Sequence, residues 1–198
     1  LKRRKNNIKS LFFFKIKPES IIYLNDYFEV IDNLLINNYK NIFKFKENLC
    51  LNNFYSQIIT LNLEGGHPDH DTVALIVDKI GKKLNMNAYF FPAYNYRNTL
   101  FIPYSVLRPL KSQEDYSIKI NLNYFFWIDL LRIALIYQTE RKAFIKLLPF
   151  LIYKSLFSNK IEFFDHISLS YLEWEKSLSL RRYKLEFKDI ENLLDKLD

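Results

Sequence analysis

Residues 56–91 constrain the fold more than any other part of the chain. Residues 56–63 (SQIITLNL) are short, apolar and β-branched, the pattern of a buried strand. They run into a loop, residues 64–71 (EGGHPDHD). A stretch with Val73, Ile76, Val77, Ile80 and Leu84 at helical spacing follows at once. Residues 88–91 read as a second strand, ended by Pro92. Strand, loop, helix and strand in so short a span predict a parallel β-α-β unit, because parallel neighbours need a crossover connection. In open sheets of this kind ligands bind outside the carboxyl ends of the strands, where this loop falls.

The flanking sequence extends the alternation. Residues 2–14 predict a helix with Ile8, Leu11 and Phe12 on one face, closed before Pro18. Residues 21–24 predict a short buried strand. Asn25 or Asp26 is placed to cap a helix carrying Phe28, Ile31, Leu34, Leu35 and Ile42. Further on, residues 116–122 (YSIKINL) alternate as a strand, and residues 125–137 are apolar and helical. Residues 142–157 continue as helix in which Pro149 allows a break, and residues 173–197 are mixed and mostly helical. No repeat, heptad array or low-complexity linker divides the chain. The expectation is one α/β domain over residues 1–198, a mostly parallel sheet flanked by helices with a helical C-terminal portion.

Composition excludes several classes. With 198 residues, 49% hydrophobic and 26% charged, the chain can bury a core. Lys or Arg interrupts each apolar run before the roughly 18 residues of a membrane span, and mean hydropathy is −0.16. The single cysteine, Cys50, excludes an internal disulfide framework and a multi-cysteine metal site. It fits a reducing compartment, and a cytoplasmic location is expected. The net charge of +7 is spread along the chain, and its one dense cluster is Lys2, Arg3, Arg4 and Lys5. No nucleic-acid partner is expected from so diffuse a charge. The chain opens on Leu1 without a signal-peptide pattern, and a preceding piece is expected to be missing.

The chemistry sits where rare residues cluster. Only three glycines occur, two of them Gly65 and Gly66; only three histidines occur, two of them His67 and His70. The glycines let the backbone turn tightly and approach a ligand, and Pro68 stiffens the turn. A helix starts directly after, and its amides and dipole favour negative charge there. Imidazole is a common zinc ligand, and a neighbouring carboxylate such as Asp69 sets its tautomer. Against this, short histidine pairs also occur as surface or capping residues. A catalytic zinc needs about three protein ligands plus water, and His166, in an aromatic stretch (FFDHIS), reads as structural or surface.

The string EGGHPDHD after a strand and opening a helix, followed by FFPAYN (residues 90–95), resembles the second motif of the PIG-L/LmbE family of zinc-dependent de-N-acetylases. YQTER (residues 137–141) resembles that family's Y-x-S-Q helix, and the order of elements fits its Rossmann-like fold. The resemblance implies that His70 is a zinc ligand. It implies that His67 is the general acid that also stabilises the oxyanion, and that Asp69 orients and charges His67. The implied reaction is hydrolysis of the acetamide of an N-acetylglucosamine-containing glycan, glycolipid or conjugate. The family's first motif, HPDDE, does not occur in this sequence, so an N-terminal β-loop-α unit is expected to be missing. A late start, a decayed remnant and a separate chain carrying that motif are the three explanations. The alternative to an enzyme is an inactive remnant or sugar-binding module of the same fold.

Other residues carry paired readings. Tyr94, Asn95, Tyr96 and Arg97 are either a sugar-binding rim or an ordinary turn after Pro92, with Tyr94, Asn95 and Arg97 taken as candidate substrate contacts. Cys50 reads as a small buried residue, not a nucleophile. The aromatics around Tyr124, Phe125, Phe126 and Trp127, with Phe150, Leu151 and Tyr153, form either core or an exposed apolar patch that touches a membrane or a partner.

Overall fold

The computed structural model describes residues Asn6, Lys9, 15–23, 26–27, 38–52, 55–96, 104–107, 118–137, 141–157 and 159–167, together with Lys184, Lys188, Asp189, Asn192 and Asp195. These residues form a mixed α/β structure with four α-helices and three small two-stranded sheets. The chain divides into two compact units. One comprises Leu1–Leu24 and Asn121–Lys160, the other Asn25–Ile120 and Ile161–Asp198.

The second unit holds the β-α-β element. Strand β1 (Gln57–Leu61) pairs in parallel with β2 (Asn87–Phe91), with Gln57 opposite Asn87 and Leu61 opposite Phe91. The crossover is helix α2 (Pro68–Leu84), which packs on both strands. Its buried face is Leu75, Ile76, Val77 and Ile80 with Ala74 and Thr72. Val73 and Leu84, expected on that face, are only half-buried. Asn85 ends the helix in the left-handed conformation, where a short polar side chain is tolerated. Two residues therefore suffice to turn into β2. Gly81 makes the return tight: a Cβ there would lie 3.1 Å from the Ala88 Cβ. Helix α1 (Tyr39–Asn52) packs against α2. Lys83 of α2 lies over the Phe43 ring and meets Glu47 at 2.7 Å.

On its other side β2 meets the segment after β6 (Lys160–Phe163). Phe90 and Phe164 exchange both backbone hydrogen bonds at 2.8 Å in an antiparallel bridge, and both side chains are fully buried. β6 itself pairs with β5 (Ile118–Asn121). Beyond Pro92, β3 (Tyr94–Tyr96) pairs antiparallel with β4 (Tyr104–Val106). The described pairings are thus of both senses, where the sequence led us to expect mostly parallel strands.

The first unit contains helices α3 (Tyr124–Ile136) and α4 (Arg141–Phe157), which pack on each other. Asn123 caps α3, its Oδ1 accepting from the Phe126 N–H at 2.9 Å. Helix α4 follows the expected helix and runs through Pro149 without the break that the proline allowed. Pro149 is exposed, so the carbonyl it leaves without an intrahelical donor can turn to water. The short strand expected at residues 21–24 is also corrected: Ile21–Tyr23 are not in a strand, and Ile22 is exposed. They follow a 3₁₀ turn at Pro18–Ser20, and no described strand pairs with them. Asn6 and Lys9 are helical, as expected. Much of the helix expected over residues 28–42, and nearly all of residues 173–197, lie outside the described residues.

Phe90 is fully buried, and its backbone stands between the pairing with β1 and the bridge to Phe164. Phe90→Ala is expected to lower stability by about 3–5 kcal/mol. Ile59→Ala, on the exposed face of β1, is expected to cost under about 1 kcal/mol. Urea unfolding of the two variants measures the difference.

Candidate active site

The loop after β1 is buried, and its backbone amides must find acceptors inside the protein. The Asn62 N–H donates to the Phe91 carbonyl at 2.9 Å, which extends the β1–β2 ladder by one step. The Asn62 Oδ1 then accepts from the Leu63 N–H at 2.8 Å. Next, the Asp71 Oδ1 accepts from both the Glu64 N–H, 2.8 Å, and the Gly65 N–H, 3.1 Å. Asp71 lies in the first turn of α2 and is fully buried. It folds the loop back onto the helix that follows it. Glu64 is also buried, and its Oε2 accepts from the Ala93 N–H at 2.9 Å, so it ties the loop to the segment after β2.

Glycine is required at both positions of the pair. Gly65 has φ of 67°, in the left-handed region. At Gly66 a Cβ would collide with the Tyr94 carbonyl oxygen. The close approach is therefore to the chain's own Ala93–Tyr94 segment, and it brings Tyr94 to the histidines.

His67 is the N-cap of α2, with Pro68 as the first helical residue. The His67 Nδ1 accepts from the Asp69 N–H at 3.2 Å. An accepting Nδ1 carries no proton, so the proton of the neutral ring is on Nε2. The His70 ring stacks on the His67 ring, centroids 4.9 Å apart, and meets the Tyr94 ring edge-on at 5.5 Å. Burial first, and the neighbouring His67 second, lower His70 from its ordinary 6.5 to about 4, with Asp69 opposing. His70 is thus neutral at physiological pH, the form in which imidazole binds metal.

Of the residues named from sequence, His67, Asp69, His70 and Tyr94 come together here. Asn95 lies in β3, where its partner is Ser105, so this segment is a strand and not a plain turn. Arg97 lies outside the described residues. The resemblance implies that Asp69 orients His67; one bond between them runs from the Asp69 backbone amide. The negative charge favoured at the helix start comes from the chain's own Asp69 and Asp71. Sequence reading gave Glu64 and Asp71 no role, and the structure makes them the scaffold of the loop. His166 is an exposed residue bonded to Asp165 at 2.7 Å, as the surface reading had it. Cys50 is half-buried on α1, and burial pushes its thiol up, which keeps it protonated.

Zinc can be tested against these side chains. His70 is suited as a ligand, while His67 keeps its Nε2 protonated as long as Nδ1 accepts the cap bond. Among the described residues no group of three or more His, Cys, Asp or Glu is placed to hold a metal ion. A catalytic zinc takes about three protein ligands, so the described residues alone do not fit it. No family model matches the chain, and no match to it was found among curated proteins or solved structures.

Two outcomes follow from this geometry. Asp71→Ala orphans two buried amides and is expected to cost about 2–4 kcal/mol, while Asp71→Asn, which keeps an Oδ1 acceptor, costs less; denaturant midpoints measure both. The low pKa of His70 makes its neutral form the folded form. The stability it contributes is present above pH 6.5 and is lost as pH falls toward about 4. In metal-free protein, His70→Gln is expected to flatten the fall in melting temperature across that window.

Proposed function

We propose that the loop of residues 64–71, with Tyr94, is part of a site for zinc-dependent de-N-acetylation of an N-acetylglucosamine-containing glycan, glycolipid or conjugate. One observation carries the reading. The two clustered histidines stack at the carboxyl end of β1, and the cap bond leaves a proton on the His67 Nε2. The resemblance of EGGHPDHD to the PIG-L/LmbE second motif supplies the reaction class.

In this reading water adds to the acetamide carbonyl, the C–N bond breaks, and acetate and a free amine leave. A neutral His67 suits the first half of that sequence. Its Nε2–H can donate a hydrogen bond to the carbonyl oxygen as charge develops there. Protonating the leaving amine is a different demand. Giving up the Nε2 proton from a neutral ring leaves an imidazolate, so an acid role needs Nδ1 protonated as well. Protonation at Nδ1 breaks the bond from the Asp69 N–H. His67 is therefore an oxyanion donor in the capped state and an acid only with the cap released. In this reading Tyr94, Asn95 and Arg97 are the residues that contact the sugar. Zinc is the expected cofactor, with ligands beyond His70 coming from outside the described residues. The finer fold assignment, a Rossmann-like domain, and a cytoplasmic location belong to the same proposal. The β1–α2–β2 unit supports the former.

The single metal ligand among the described residues favours a second reading, a sugar-binding module of the same fold without turnover.

Metal content by plasma mass spectrometry and acetate release from N-acetylglucosamine oligosaccharides test both. The first reading expects about one zinc per chain, lost in His70→Ala. It expects His67→Ala to keep zinc and to lose turnover by about 10²–10³-fold. Sugar binding with neither zinc nor acetate release supports the module. Neither binding nor release sinks both.

A further inference from the structure

We infer that the α3–α4 hairpin is a docking surface for an anionic lipid bilayer. The inference rests on the hairpin alone and is independent of the proposed reaction.

Both helices present apolar side chains on an exposed face. On α3, Tyr124, Ile128, Leu131 and Leu135 recur at helical spacing, and all four are exposed. On α4, Ile145, Pro149, Ile152 and Leu156 do the same. Lys154, by contrast, is only 3% exposed while Phe157, one turn away, is 69% exposed. A groove of about 510 Å³ runs between the helices, and every side chain lining it is apolar. Leu131, Leu135 and Ile145 belong both to the groove and to the exposed stripes, so stripes and groove form one continuous surface. Contiguous exposed apolar surface rimmed by polar residues is the form that an interaction site takes.

Charge decides what covers it. Helix α4 carries Arg141, Lys142, Lys146 and Lys154 and no acidic residue. On α3 the one acid, Asp129, is paired with Arg132 at 3.1 Å. Lys142 and Lys146 are exposed on the turns that flank Ile145. A second copy docked about a two-fold axis would bring two such cationic helices together, which like charges oppose. An anionic bilayer meets both features, apolar stripes for its acyl chains and lysines for its phosphates.

The aromatic residues fit the same occupant. The Leu122 N–H donates to the Asn159 carbonyl at 2.6 Å, so the start of α3 and the end of α4 lie together. Tyr124 and Phe125 therefore share one end of the hairpin with Tyr153 and Phe157, whose rings are 4.7 Å apart. Tyr concentrates at the headgroup level of membranes, and Phe is common on the apolar face of helices that lie in the interface. The helices are about 20 and 26 Å long from their residue counts, short of the roughly 30 Å of a hydrocarbon core. No helix among the described residues is long and apolar enough to cross a membrane. The hairpin is therefore placed to lie in the interface.

Vesicle flotation with the full chain tests this. Binding is expected to vesicles of phosphatidylcholine mixed with phosphatidylserine, to weaken with salt, and to be far weaker to phosphatidylcholine alone. Lys142→Gln/Lys146→Gln is expected to weaken it roughly 30-fold. Phe125→Ser/Phe157→Ser is expected to weaken it more than about tenfold. Lys40→Gln/Lys44→Gln, which removes two exposed lysines of α1, is expected to leave binding within about threefold. All six positions are exposed, so thermal melts should be unchanged and show that each variant folds. No flotation with mixed vesicles at low salt overturns the inference, and so does an equal loss in the α1 variant. A dimer that Phe125→Ser/Phe157→Ser dissociates, without vesicle binding, also overturns it and assigns the surface to a second copy.

Discussion

The candidate site depends on one carboxylate. Asp71 is fully buried and accepts from two successive loop amides, Glu64 and Gly65. A loop that leaves a strand and enters a helix within a few residues has no regular ladder to satisfy its donors. If the loop is buried, a side chain must do so. Asp71 sits one turn into α2, so the same bonds that satisfy the loop fix where the helix begins. Glu64, held by that carboxylate through its amide, passes the constraint on through its own side chain to Ala93. The rings of His67, His70 and Tyr94 meet because those two acids close the loop between the β1 end and the β2 end.

That scaffold gives the two histidines different characters. His67 is written into the helix as its cap, and the cap bond chooses its tautomer. His70, one turn on, is packed between His67 and Tyr94, and burial there disfavours charge. One ring therefore presents a donor and the other a neutral base, within 4.9 Å of each other. A pair whose environments separate donor from lone pair has the asymmetry that acid–base and metal chemistry use. The capping reading and the functional reading of His67 are not rivals, since capping at Nδ1 is what leaves Nε2 armed with a proton.

The β1–α2–β2 unit was legible because its signals are local. A β-branched run, a Pro-started helix and a short return each announce themselves within a few residues. The buried face of α2 was read about one residue off centre, because period alone does not say which flank meets the sheet. Short strands β3, β4 and β6 were missed, since three or four residues carry too little alternation to stand out. The strand expected at residues 21–24 failed for the opposite reason: an apolar run satisfies the pattern, yet a strand exists only where a neighbour pairs with it. Glu64 and Asp71 escaped notice because a carboxylate beside histidines suggests chemistry, and only the folded loop shows that its oxygens accept from backbone amides. Asp71 did leave one trace, as the fourth position of a PDHD string that opens a helix, where acids are favoured.

The +7 charge shows how averaging can hide a surface. Over the whole chain 29 basic residues face 22 acidic ones, a diffuse excess that points nowhere. The 17-residue sequence of α4 contains four bases and no acid, and two of those bases, Lys142 and Lys146, are exposed near apolar side chains that face outward. Either feature alone has an ordinary explanation: solvated lysines decorate most helices, and scattered exposed leucines are common on folded surfaces. Together they are harder to reconcile with water on the outside. A helix in water gains by turning Phe157 and Leu156 inward and Lys154 outward, and α4 does the reverse. The arrangement becomes favourable when the outer medium is itself apolar a few ångströms below a layer of negative charge, which is the profile of a bilayer surface.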